Sequence, residues 1–153
     1  MNQDWRDLFQ TLRDADDRFL IVGAHALAVH GVPRGTQDLG LWIDASPENS
    51  KRVWTALLAF GAPVQSLGIT LEDLQKPRAV IQLGLPPNRV DLLTGITGVE
   101  SFDDAWRERV EHMMEGAMVP FLGRTMLVKN KRATGRRKDL GDLEALGELP
   151  PDR

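Results

Sequence analysis

The stretch "FLIVGAHALAVHGVPRGTQDLGLWID", Phe19 to Asp44, decides how the rest of the chain folds. Phe19-Leu20-Ile21-Val22 is an uninterrupted apolar run of the length of a buried strand, and Gly23 stops it. Ala24–His30 is rich in good helix formers and is followed by Gly31, so a short helix is expected there. The glycines and proline of "GVPRGTQ" mark a loop. "DLGLWID" then alternates. Leu39, Leu41 and Ile43 fall on one face, the core side, while Asp38, Gly40, Trp42 and Asp44 fall on the other.

Outward from this unit the chain reads as mixed helices and strands. Trp5, Leu8, Phe9 and Leu12 carry the spacing of one helical face. Ser46-Pro47 supplies a cap and a proline at the first helical position, and Gly61 ends the helix whose apolar side is Val53, Trp54, Leu57, Leu58 and Phe60. Thr70–Leu74 reads as a short capped turn. "RAVIQLGL" and "RVDLLTG", separated by "PPN", predict a hairpin. Ser101 is expected to cap a helix from Phe102 to Met114. "MVPFLG" and "RTMLV" are expected to be short strand or extended pieces. A basic segment, residues 127–147, is expected to form two short helices hinged at Gly135. No repeat or long linker divides the chain. Residues 1–153 are therefore expected to form a single domain of the α/β (α+β) class, one mixed β-sheet with flanking helices.

Composition excludes several classes. No apolar run approaches the ~18 residues of a membrane span. The absence of cysteine excludes disulfides and thiolate zinc sites. The N-terminus is acidic and amphipathic, unlike a signal peptide, so a cytoplasmic location and no membrane association are expected. The formal net charge is −3. Lys129, Lys131, Arg132, Arg136, Arg137 and Lys138 nevertheless cluster together, leaving the remainder strongly acidic. Such a patch suits an anionic ligand such as a triphosphate or RNA, or alternatively a solvated helix end.

Three features bear on chemistry. At the Gly23–Ala24 turn a strand runs straight into a helix, where backbone N–H groups are free to meet anions. Asp38 lies on the polar face of the following strand. Asp91, between Val90 and Leu92, falls on a polar face of its own strand. Carboxylates converging beside a phosphate cradle are what magnesium-dependent phosphoryl transfer requires, because magnesium takes oxygen ligands from one or two carboxylates and the substrate phosphates.

On these residues the chain resembles the minimal nucleotidyltransferases of the DNA polymerase β-like superfamily, in their bacterial toxin-like branch. The family pattern is a strand, a Gly-Gly or Gly-Ser turn, a helix, an acid-x-acid pair and a third acid on a later strand. Gly23 matches the turn, Asp38 the first acid and Asp91 the third. "PRGTQD" is similar to the branch's lead-in, and "NKRATGRRKDLGDLEAL" resembles its C-terminal segment. The resemblance implies Arg34, Thr36, Lys129, Lys131 and Arg132 as phosphate or substrate contacts. It implies Mg2+, with Mn2+ as an alternative, and a nucleoside triphosphate donor. The nucleotidyl group would pass to an RNA such as tRNA, a protein or a small molecule.

Two departures stand out. Ala24 replaces a serine or glycine, leaving the backbone N–H in place. Gly40 replaces the second metal carboxylate. Asp44 shares its face, but four strand residues span roughly 13 Å, far beyond one coordination position. The resemblance therefore implies an impaired transferase. The alternative is a non-catalytic module that binds a nucleotide or a cognate partner protein, as in a toxin–antitoxin pair.

Overall fold

The computed structural model describes residues 2–148. Its core is one six-stranded mixed sheet in the order β3-β4-β2-β1-β6-β5, with helices on both faces. This is the expected α+β architecture. No helix among the described residues is long and apolar enough to cross a membrane.

The N-terminal unit forms as its pattern predicts: β1 Phe19–Val22, helix α2 Ala24–Val29 and β2 Asp38–Ile43. β2 is central. It runs antiparallel to β1, with Phe19 opposite Ile43 and Val22 opposite Gly40. On its other side it runs parallel to β4 Arg89–Leu93, with Asp38 opposite Arg89 and Gly40 opposite Asp91. β4 forms the expected antiparallel hairpin with β3 Val80–Leu83.

The helices cover the apolar positions. α1 Gln3–Asp14 buries Trp5, Leu8, Phe9 and Leu12, and the Phe9 and Phe19 rings stack 6.3 Å apart. α3 Pro47–Phe60 packs beside α1, capped by the Ser46 side chain and ended by left-handed Gly61. On the opposite sheet face, α4 Phe102–Arg107 brings Phe102 edge-on to buried Trp42, 5.0 Å away. Asp44, which shares that face in sequence, is bound by Arg18 at 2.7 Å and accepts from the Ser46 N–H. It anchors the start of α3.

Two expectations are corrected. The helix expected to run to Met114 ends at Arg107, and β5 Val110–Met114 follows. Pairing with β6 Ala117–Phe121 outweighs the local helical pattern. Glu115 and Gly116, both at positive φ (51° and 78°), form the tight two-residue turn between them. "RTMLV", expected to be extended, is instead the start of helix α5 Arg124–Thr134. Gly123 makes that entry possible, since a Cβ there would lie 2.3 Å from the Glu108 carbonyl oxygen. The hinge at Gly135 is present, left-handed at φ 60°, and leads to α6 Arg137–Ala145.

One buried group sets a pH dependence. Neither Asp17 carboxyl oxygen has a hydrogen-bond partner. Burial, and secondarily the charge of Asp16, pushes this carboxyl from its ordinary 3.8 up to about 8. Between those values the folded chain keeps a proton that the unfolded chain releases, so stability falls as pH rises. We expect Asp17→Asn to remove this slope and to raise stability at neutral pH by on the order of 2 kcal/mol. Urea unfolding from pH 4 to pH 8 checks it; identical slopes in the two proteins would refute the assignment.

Candidate functional site

The register of β2 gathers the polar residues on the sheet face away from α1. Parallel pairing with β4 places Asp38, Gly40, Arg89 and Asp91 on that one face. Arg89 binds both oxygens of Asp91, from Nε to Oδ1 at 3.0 Å and from a terminal nitrogen to Oδ2 at 3.1 Å. The same Nε lies 3.9 Å from Asp38 Oδ1, an oxygen that is buried without a hydrogen-bond partner. The two acids therefore share one guanidinium. The hydrogen bond to Asp91 raises the affinity of Arg89 for its proton above the ordinary value, so it stays charged. Thr36 Oγ1 accepts the Asp38 N–H at 3.1 Å and fixes the entry into the strand.

Gly40 has a packing reason. A Cβ built there would sit 3.2 Å from Val22 Cγ2, on the paired residue of β1. A side chain at position 40 would need the Val22 methyl to give by a few tenths of an ångström. With no carboxylate there, these residues fit a resident magnesium ion poorly. Arg89 engages Asp91 on both oxygens, so a magnesium ion here would compete with the guanidinium charge and would take its other oxygens from Asp38, water and substrate phosphates. No group of three or more His, Cys, Asp or Glu side chains suited to a metal occurs among the described residues.

Beside this pair opens a cleft of about 540 Å³. Its floor includes Val22, Gly23, Ala24, Val80 and Leu93, and α5 and the start of α6 form a wall. Gly23 has φ 73° and ψ −145°, a conformation open essentially to glycine alone. Five cations line the cleft: Arg34, Arg78, Lys131, Arg136 and Lys138, against one carboxylate, Asp142. Arg78 is held at φ 52°, and Gly95 leaves room for its stem, since a Cβ there would lie 3.1 Å from Arg78 Cγ. Strained backbone at a non-glycine residue is often retained where a side chain must be aimed. Arg78 also donates to Thr97 Oγ1 at 2.7 Å.

An ion network ties this wall together. Lys131, only 7% exposed, lies 3.2 Å from Asp139 and 3.1 Å from Asp142. Arg136 binds Asp139 at 2.7 Å, and Arg34 pairs with Asp142. Burial alone would raise the Asp139 carboxyl, but hydrogen bonds from Arg136, Thr134 and Lys131 outweigh it and hold the group well below the usual carboxylate range. Across the sheet, burial lowers the proton affinity of His25, partly offset by its hydrogen bond to the Asp38 backbone and by Glu115. His30 is half-buried, with Nε2 2.9 Å from the Leu122 carbonyl.

Of the residues singled out in sequence, Gly23, Ala24, Arg34, Thr36 and Lys131 line the cleft. Asp38 and Asp91 lie beside it on the same sheet face. Lys129 and Arg132 do not line it; Arg132 lies 3.6 Å from Glu148. Sequence reasoning missed Arg89, although strand alternation already placed it on the Asp91 face, two residues earlier. It also missed Arg78, whose role depends on a backbone conformation with no local signal. Arg136 and Lys138 belong to the basic patch but were not singled out within it. No protein-family model matches this sequence, and no curated protein matches it.

The network makes a stability prediction. Asp139→Ala leaves the buried Lys131 ammonium with half its partners, and breaking such a pair costs about 3 kcal/mol or more. Urea unfolding at neutral pH should show that loss. A change below about 0.5 kcal/mol, the range of an ordinary surface substitution, would contradict the network's role.

Proposed function

We propose that the cleft binds a nucleoside triphosphate, and that the chain is a nucleotidyltransferase-type domain whose transfer chemistry is impaired by Gly40. The observation that carries this reading is the concentration of five cationic side chains around one cleft in a protein of net negative charge. Asp139 and Asp142 offset part of this charge by pairing with Lys131, Arg34 and Arg136, and the remaining excess of positive charge favours a ligand of the opposite sign. The volume lies within the range of small-molecule sites, and the apolar floor of Val22, Leu93 and Val80 offers a surface for a base or sugar. The carboxylate pair adjoining it is what the resemblance to the family would require of the reacting end.

In this reading Arg78 and Lys138 meet the phosphates. Arg34, Lys131 and Arg136 shape the wall through their own carboxylate partners and add positive potential. The acceptor would be a hydroxyl of RNA, of a protein or of a small molecule. A second reading is favoured by Val22, whose methyl crowds position 40 and so gives the glycine a packing role apart from catalysis. It is a non-catalytic nucleotide-binding module, in a cytoplasmic toxin–antitoxin type of system with a cognate partner protein.

Calorimetric titration with nucleoside triphosphates tests binding. Charge-assisted contacts are worth enough that Arg78→Ala and Lys138→Ala should each weaken affinity about tenfold. The affinity should also fall with added salt. No heat of binding with any triphosphate, or wild-type affinity in both variants, would remove the proposal. Gly40→Asp combined with Val22→Ala, which clears the methyl in its way, separates the two readings. Transfer of label from an α-labelled triphosphate to an acceptor supports the impaired enzyme; unchanged binding without transfer supports the module.

A further inference from the structure

We infer that the Asp38–Asp91 pair holds the Arg89 guanidinium as its resident cation in place of a divalent metal ion. Three observations carry this. Arg89 occupies both oxygens of Asp91 in the two-pronged geometry that suits a guanidinium and a carboxylate. Its Nε is also within 4 Å of Asp38, whose Oδ1 has no other partner. The position in register with Asp91 on the neighbouring strand, where a further oxygen would complete a metal shell, is Gly40 with Val22 packed over it.

The charge balance follows from these positions. Two carboxylates and one guanidinium leave the cluster with a single net negative charge, with the guanidinium engaging both oxygens of one acid. A divalent ion at Asp91 meets the positive charge of Arg89 on both oxygens, and with glycine at position 40 it gains no third carboxylate in return. Arg89 is two-thirds or more buried, as is Asp91, so the pair is screened less than a surface ion pair. This inference concerns the carboxylate pair and stands whether or not a nucleotide occupies the cleft.

The test is a Mn2+ titration of the ligand-free protein followed by electron paramagnetic resonance, which reads metal binding without activity or nucleotide. The wild-type chain should bind Mn2+ only weakly and no more tightly than Asp91→Asn. Arg89→Gln, with its fold checked by circular dichroism, should tighten binding at least about tenfold, and adding Gly40→Asp and Val22→Ala should tighten it further. Stoichiometric Mn2+ binding by the wild-type chain that Asp91→Asn abolishes would overturn the inference. So would a folded Arg89→Gln that binds no more tightly than wild type. If Arg89→Gln does not fold, the wild-type and Asp91→Asn comparison decides alone. Failure of nucleotide binding in the calorimeter would sink the proposed function and leave this result standing.

Discussion

The hydrogen-bond register of β2 is the constraint from which the functional end of the molecule follows. Antiparallel pairing with β1 sets Val22 opposite Gly40, and parallel pairing with β4 sets Asp91 opposite Gly40 on the other side. A slip of one residue would turn Asp38 into the core and Leu39 out of it. Leu39, Leu41 and Ile43, all fully buried, hold the register against that slip. The same alignment brings the Gly23 turn, two acids and one arginine to one face. Local sequence makes each strand; the buried side chains of β2 make them meet.

Charge then divides this face into two parts. Around the acids, negative groups outnumber positive ones but are bound to Arg89. Around the cleft the balance reverses, with Asp142 and Asp139 serving mainly to hold Lys131, Arg34 and Arg136 in place. Buried ion pairs of this kind add little net stability over apolar packing, but removing one partner is costly. What they supply is position. Asp142 joins the loop carrying Arg34 to the C-terminal helices, so the cleft wall is built from segments more than a hundred residues apart in the chain.

Much of this was legible in sequence where the signal was local. The β1-turn-α2-β2 unit and the β3–β4 hairpin carry their own glycines, alternation and caps, and period two alone places Asp38 and Asp91 on polar faces. The failures are non-local. Val110–Met114 carries a local helical pattern, and its pairing partner, β6, lies beyond the turn at Glu115-Gly116. "RTMLV" reads locally as a strand or extended piece, because the role of Gly123, close approach to Glu108, involves another segment. Gly40 stood out as a missing acid, yet its neighbour Val22 cannot be identified without the register. The cations of the C-terminal segment read alike in sequence. Only their partners distinguish buried Lys131 from Lys138, on the cleft lining, and from Lys129, away from it.

Diffraction from crystals soaked with a nucleoside triphosphate and manganese tests the central claim most directly. The account requires phosphate density in the cleft near Arg78 and Lys138, with Arg89 still seated on Asp91 and no anomalous manganese peak between the two acids. A manganese ion bonded to both Asp38 and Asp91, with Arg89 swung aside, would contradict it.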